Sequence, residues 1–381
     1  MAAPVRNVGL SRTRNTTSGN IRGVPQDILE NASLIEAVSL LPSNYNFEVY
    51  KTLWRIRTEG SKVVALQFPE GLLMYACLLA DIFRSFGGGV SVLILGDVTY
   101  GACCVDDLTA SKLGADLLVH YGHSCLIPVN VTRLKTIYVF VEIFFDSRHL
   151  IECVKRTFPR DTRIALLGTI QFVSIVHQAA AELKEYFGEC VIPQEKPLSA
   201  GETLGCTSPI IFNADKLLFV SDGRFHLEAA MIRNPTLSSY RYDPYSKCLT
   251  SESYNFGYLH TSRLAAIEKA KLAKNFGVVL GTLGRQGNPP TFARLQEKLL
   301  SRGKRVVSFL MSEINPAKLV LINSIDVWVQ VACPRLSIDW AGGFAKPLLT
   351  PYELQVAIGE EEWKSVYPMN FYSSEGAGAR H

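Results

Sequence analysis

A chain of 381 residues, 48% apolar and 19% charged, is large and apolar enough for about two to four packed cores and too apolar for a disordered segment. A net charge of +4 gives no reason to expect nucleic acid, no apolar run reaches the length of a membrane span, and the leading MAAPVR lacks the apolar core of a secretory signal. Nine cysteines without such a signal point to reduced thiols, available for metal or chemistry.

In chain order, residues 1–24 are rich in Arg, Ser, Thr, Asn and Gly and read as a flexible basic arm, solvated and not bound to nucleic acid. From Gln26 the pattern turns amphipathic: Ile28, Leu29, Ile35, Val38 and Leu41 suit one opening helix that ends at Pro42. A threefold repeat follows. A first strand runs into a helix at 63–68, at 164–168 and at 278–281, with helical stretches at 71–86, 174–187 and 291–303. Second strands follow at 90–95, 190–192 and 306–310. Late strands begin at Ala115-Asp116, Ala214-Asp215 and Ile325-Asp326.

These strands are continuous apolar runs, as expected where helices cover both faces of a parallel sheet. The alternation of strand and helix predicts right-handed crossovers. The expected fold is therefore three similar small parallel-sheet α/β lobes, at 25–155, 156–265 and 266–372, with a frayed tail at 373–381. Ligands in such sheets bind at the carboxyl ends of the strands.

Three cysteines stand near those ends: Cys103 after Gly101-Ala102, Cys206 after Gly205, and Cys333 after Ala332. Their separations are far too long for a zinc knuckle. Three thiolates meeting on a central axis match the number that holds a 4Fe–4S cluster with one iron left open. A zinc site is the other possibility, with His123 or His226 as a further ligand. Cys104 competes with Cys103. Cys77, on a helical apolar face, and Cys153 and Cys190 read as structural. Cys125 is ambiguous, and Cys248 reads as incidental. No G-x-S-x-G elbow, P-loop or G-x-G-x-x-G after a strand is present, and the triple glycine at 87–89 reads as a helix-ending turn.

The motifs LPSNYNFE at 41–48, QFPEGL at 67–72, GDVTYGACCVDD at 96–107, HYGHSC at 120–125, DGRFHLE at 222–228, YRYDPY at 240–245 and ACPRLSIDW at 332–340 resemble the eukaryotic diphthamide synthase family. The resemblance runs from about residue 25 to 372, and Cys206 places it with the first of that family's two homologous subunits. It implies three lobes in a pseudo-threefold arrangement around one 4Fe–4S cluster, held by Cys103, Cys206 and Cys333. It implies a transferase that moves the 3-amino-3-carboxypropyl group of S-adenosylmethionine to C2 of a histidine imidazole in translation elongation factor 2, by a radical route that opens diphthamide biosynthesis. The C-x-x-x-C-x-x-C loop of ordinary radical enzymes of that cofactor is missing. A heterodimer with the second subunit, a small metal-binding electron-donor protein and a cytoplasmic location are also implied. The carboxylate of S-adenosylmethionine needs donors. Arg224 and Arg285 are the candidate grips, with His123 and Gln286 as polar neighbours; the alternative for Arg224 is that it pairs with Asp222 or Glu228 and only shapes its turn. Two readings from other classes are a quinolinate-synthase-like Lewis-acid iron–sulfur enzyme and a non-catalytic, cluster-bearing scaffold subunit.

Overall fold

The computed structural model describes residues 23–97 and 99–379. Nearly all of the arm expected at 1–24 lies outside the described residues, as do the last two residues of the tail.

The architecture is mixed α/β with three separate, largely parallel sheets. The first holds β1 (Val63–Gln67), β2 (Ser91–Leu95), β3 (Leu117–Tyr121) and β4 (Lys135–Val139). The second holds β5 (Ile164–Gly168), β6 (Cys190–Val191), β7 (Lys216–Val220), β8 (Ser238–Asp243) and β9 (Cys248–Glu252). The third holds β10 (Asn275–Gly281), β11 (Arg305–Met311), β12 (Val327–Val331) and β13 (Leu348–Leu349). Each sheet has the same order: second strand, first, third, fourth. All pairings in these sheets are parallel except β8 with β9, an antiparallel hairpin that the sequence did not suggest.

The repeat has a physical cause in three aspartates. Each stands just before the third strand of its sheet and accepts a backbone N–H at the start of the first strand. Asp116 takes that of Lys62 at 2.7 Å, Asp215 that of Arg163 at 2.9 Å, and Asp326 that of Lys274 at 3.0 Å. The aspartate N–H groups return the bond to the carbonyls of Val63, Arg163 and Asn275, each at 2.9 Å. The first and third strands are thereby locked in one register, so their carboxyl ends and the loops beyond them come out level. β3, β5 and β12 are buried along their whole length, which accounts for their unbroken apolar runs.

Helices fall close to their expected places, at Ala76–Phe86, Val173–Phe187 and Pro289–Leu300. The last begins early because Asn288 caps it, accepting the Thr291 N–H, with Pro289 in the first turn. The opening helix differs from expectation. It is broken into Gln26–Leu29 and Ala32–Val38, because the Asn31 side chain accepts the Leu34 N–H and starts a second helix. Leu34 then takes the buried position and Ile35 is exposed. A further helix, Val49–Glu59, follows. Cys77 lies on the exposed side of its helix, not on the apolar face. From Ser373 to Ala379 the tail is not frayed: Thr291 Oγ1 donates to the Ala377 carbonyl at 2.8 Å and Asn288 Nδ2 to that of Ala379 at 3.0 Å. No helix among the described residues is long and apolar enough to cross a membrane.

Candidate metal centre

Cys103 lies in the short turn Ala102–Cys104 beyond β2. Gln67, the last residue of β1, holds that turn. Its Nε2 donates to the Cys104 carbonyl at 2.9 Å, and its Oε1 accepts the Asp106 N–H at 3.1 Å. The same oxygen meets Nδ1 of buried His120 at 2.9 Å. A carbonyl oxygen only accepts, so Nδ1 carries the proton. Burial, then the nearby His123, pushes the His120 pKa well down, so the ring is neutral. Its Nε2 is left as a bare acceptor, buried and without a hydrogen-bond partner.

Cys333 follows β12 by two residues. Gln330, inside β12, does for it what Gln67 does for Cys103: Nε2 donates to the Cys333 carbonyl at 2.9 Å, and Oε1 accepts the Ala332 N–H at 2.8 Å. Cys206 lies in the long β6–β7 connection. Its carbonyl accepts the Phe371 N–H at 3.1 Å. Thr207 Oγ1 accepts the Tyr372 N–H at 3.0 Å. The three cysteines therefore do not occupy one repeated position. Cys103 and Cys206 precede the third strand of their sheets, and Cys333 follows it.

The three loops are fastened to one another. The Arg285 N–H donates to the Cys103 carbonyl at 3.0 Å. Its guanidinium makes two 2.7 Å bonds to the fully buried Asp107 carboxylate. Gly284, at φ +52°, brings its backbone so close that a Cβ would lie 2.4 Å from the Cys104 carbonyl oxygen. Between the second and third sheets the fastening is Arg335, two residues after Cys333 and 2% exposed. It donates to the Gly205 carbonyl at 3.2 Å and the Phe225 carbonyl at 2.7 Å, pairs with Glu228 at 2.5 Å and Asp339 at 2.8 Å, and stacks over the Phe225 ring at 4.3 Å. Between the first and second sheets, Ser124 donates to the buried Glu202 carboxylate and the Gln171 amide donates to the Gly122 carbonyl.

The thiols share one electrostatic environment. Burial raises the Cys206 thiol far above its ordinary range, and Cys333 and Cys103 add to it. Burial, then Cys103, pushes Cys333 up to about 12. Cys103 is lowered to about 7, chiefly by hydrogen bonding from Cys104, whose sulfur is 3.9 Å away, with Tyr372 and Gln286 contributing. Cys104 is raised in return by that contact. Among the described residues no three His, Cys, Asp or Glu side chains stand close enough to hold a single metal ion. In a cubane each thiolate sits on a different iron, so a cluster takes ligands spread wider than one ion can. The three thiols, each within the electrostatic reach of the others and carried on fastened loops, are the candidate set for such a cluster.

Two buried imidazoles, His123 and His226, are neutral. Burial, then His226, holds His123 at about 4; burial, then Arg335, holds His226 at about 4. His123 lies in the turn after β3, His226 in the first turn of the helix Phe225–Arg233 that follows β7, and Arg335 opens the helix Arg335–Asp339 that follows β12. The buried hydroxyls of Thr99, Thr169, Thr203 and Ser208, on or near the same loops, also have no hydrogen-bond partner, leaving polar groups for a polar ligand.

The two arginines expected to grip a carboxylate are taken by the chain's own acids. Arg285 is paired with Asp107. Arg224 pairs with Glu252 at 2.6 Å and Glu228 at 3.4 Å, and donates to the Ser253 carbonyl at 3.0 Å. Gln286 is 9% exposed, beside Cys103. Sequence reasoning missed Gln67, Gln330 and Arg335. Only Arg335 left a signal, being a charged residue two positions from a proposed ligand.

Gly205, just before Cys206, faces the Phe225 ring so closely that a Cβ would lie 2.0 Å from a ring carbon. Gly205→Ala is expected to displace either the ring from under Arg335 or the cysteine loop itself. Iron retained after anaerobic reconstitution should fall at least about fivefold, in line with the roughly 1–3 kcal/mol typical of overpacking. Full iron content in that variant would show that the loop tolerates the shift.

Residues 68–368 match the family model described as "Putative diphthamide synthesis protein". The chain is 55% identical over 359 residues to the Gallus gallus 2-(3-amino-3-carboxypropyl)histidine synthase subunit 1, covering 94% of this chain and 87% of that one. It is 52% identical over 358 residues to the Homo sapiens protein of the same name, covering 93% and 81%. Among solved structures, Pyrococcus horikoshii Dph2 with a 4Fe-4S cluster matches with a TM-score of 0.71 at 28% identity, over 84% of this chain and 92% of that one.

Proposed function

The chain belongs to the diphthamide synthesis protein family, and from that premise we propose that it is a 2-(3-amino-3-carboxypropyl)histidine synthase whose substrate is a histidine of translation elongation factor 2. In this reading the segments 25–155, 156–265 and 266–372 form three lobes in a pseudo-threefold arrangement, with Cys103, Cys206 and Cys333 at its centre. The single observation that carries it is that these three thiols, from loops of three different sheets, lie in one another's field on loops that are hydrogen-bonded together. The solved relative with a 4Fe-4S cluster supports the choice of metal group.

The cluster, when bound, supplies the electron that releases the 3-amino-3-carboxypropyl group of S-adenosylmethionine as a radical. The protein's own part is to hold and to exclude. Cys103, Cys206 and Cys333 would anchor the metal group through their three thiolates. Gln67 and Gln330 fix the turns of two of these cysteines. The surrounding apolar cluster, from Ala65 to Tyr372, keeps water from a reactive intermediate. His123 and His226, neutral at pH 7, offer uncharged donors and acceptors for the amino-acid end of the cofactor or for the incoming imidazole, with Gln286 beside them. Of the two arginines, Arg285 keeps a place at the site through its backbone bond to Cys103, whereas the contacts of Arg224 favour a structural role. A second homologous subunit, a small electron-donor protein and a cytoplasmic setting complete the proposal.

The test is anaerobic incubation of the reduced, cluster-loaded protein and its second subunit with S-adenosylmethionine labelled in the carboxypropyl carbons, together with elongation factor 2. Label on one histidine of the factor is the expected result. A redox-active centre that transfers nothing would favour the scaffold reading. Condensation chemistry without cleavage of the sulfonium would favour the Lewis-acid reading.

A further inference from the structure

A cavity of about 540 Å³, a size in the range of ligand sites, lies one side chain away from the Cys206 loop. Three helices build it. Glu228 comes from Phe225–Arg233 and Asp339 from Arg335–Asp339, with Trp340 directly after it. Tyr258 comes from the helix Phe256–Leu272, and Tyr254 stands just before that helix. Trp340 is 66% exposed and Tyr258 60%. Large aromatic faces left open to water mark a surface that a partner covers.

The carboxylates of the wall are Glu228 and Asp339, both partly exposed. Each pairs with Arg335, which is buried behind them and whose other donors hold the carbonyls of Gly205 and Phe225. Among the described residues no Lys or Arg lines the cavity. The ion-pair network behind it sets Arg224, Arg241 and Arg335 against Glu228, Asp243, Glu252 and Asp339. Three cations therefore face four carboxylates, and the network keeps one negative charge in excess.

We propose that this cavity receives an arginine or lysine side chain of the protein substrate, carried near its target histidine. This rests on the reading of elongation factor 2 as that substrate. Open aromatic faces attract an organic cation through the ring quadrupole, and carboxylates bind it through charge-assisted hydrogen bonds. An acidic partner finds repulsion here, and a purely apolar one leaves the carboxylates without water or partner. The place of the cavity favours the substrate over the second subunit or the electron donor. Arg335 touches the two wall carboxylates and also the Gly205 carbonyl next to Cys206, so a segment seated in the cavity runs alongside the centre. One anchored cation then fixes the approach of a histidine carried nearby. Because the attraction is partly between charges at the surface, docking weakens as salt rises.

The experiment separates docking from transfer. The metal-free protein with its second subunit is titrated with elongation factor 2 for a dissociation constant. The cluster-loaded, reduced protein gives kcat and KM for the factor. Trp340→Ala removes one exposed ring and no buried group. It is expected to raise the dissociation constant and the KM for the factor about tenfold, the scale of a lost aromatic anchor, with kcat and the KM for S-adenosylmethionine unchanged. Trp340→Phe should recover most of that loss, and Tyr258→Ala should act in the same direction as Trp340→Ala. N-acetylarginine amide is expected to compete with the factor for the parent and far less for Trp340→Ala, while the neutral citrulline counterpart competes for neither. Equal competition by the two amides overturns the cation assignment. Unchanged docking and KM in both Trp340→Ala and Tyr258→Ala overturn the site, as does a loss of the second subunit with docking of the factor intact. A parent that labels no histidine of the factor overturns the reading beneath it.

Discussion

Cys206→Ala is expected to leave a folded chain that binds little or no iron and transfers no 3-amino-3-carboxypropyl group. The Cys206 thiol is buried, with its pKa driven far up by burial and by Cys333 and Cys103, so in the metal-free protein it is a protonated group waiting for a partner that removes its proton. Losing it leaves two anchors from two loops, and a cubane held at two corners has a second iron open to solvent and exchange. Cys103→Ala and Cys333→Ala should behave alike. Cys104→Ser is the informative control. Cys104 lies 3.9 Å from the Cys103 sulfur, and its carbonyl is gripped by Gln67 through the backbone, which the substitution leaves in place. Its iron content should match the parent, with an altered Cys103 reactivity in the metal-free state because the adjacent donor has changed. The readouts are iron and sulfide per chain, the electron-paramagnetic-resonance signal of the reduced protein, and product formation. Parent-level iron in Cys206→Ala would remove the central premise of a three-cysteine site.

The repeat was legible because it rests on local chemistry. An aspartate before each third strand, followed by an unbroken apolar run, states both the register and the burial of that strand, and Asp116, Asp215 and Asp326 are bonded alike in the structure. The candidate cysteines were legible from the small residues before them, which allow close approach of backbone. What escaped was non-local. Whether Arg224 is an anion receptor or a partner for Glu252 is decided by a contact 28 residues away, and for Arg285 by Asp107, 178 residues away. Neither separation leaves a periodicity to read. Gln67 and Gln330 looked like polar ends of apolar strands. Their value lies in turning an amide toward a loop that only the folded sheet brings near. The broken opening helix is the opposite case, a local signal passed over: Asn31 can accept an N–H three residues on, and it does.

Arg335 gives the other large effect expected from substitution. Its guanidinium spends its donors on two carbonyls and two carboxylates, one carbonyl being that of Gly205 beside the central cysteine. Arg335→Met keeps much of the side-chain length and its stacking over Phe225, but takes the cation from Asp339 and leaves Glu228 only its 3.4 Å contact with Arg224. Stranding a buried charge typically costs about 3–5 kcal/mol, and because both carboxylates keep partial solvent contact the lower end applies here. Burial already raises the Asp339 carboxyl above its ordinary value with Arg335 in place. Without the arginine it rises further, so the native state takes up a proton that the unfolded chain does not. The sign follows: the loss of stability is largest above the raised native-state pKa and shrinks as pH falls through it. Urea unfolding of parent and variant at pH 8 and pH 5.5 should show a gap that narrows at the lower pH. Arg335→Lys restores one charge but not the planar fork, and should recover part of the stability without recovering the Gly205 contact. Iron loading then separates the two roles of Arg335. If it only neutralises acids, Arg335→Lys loads like the parent. If it also holds the Cys206 loop in place for the centre, Arg335→Lys is stable yet loads poorly, and that second pattern is the one expected.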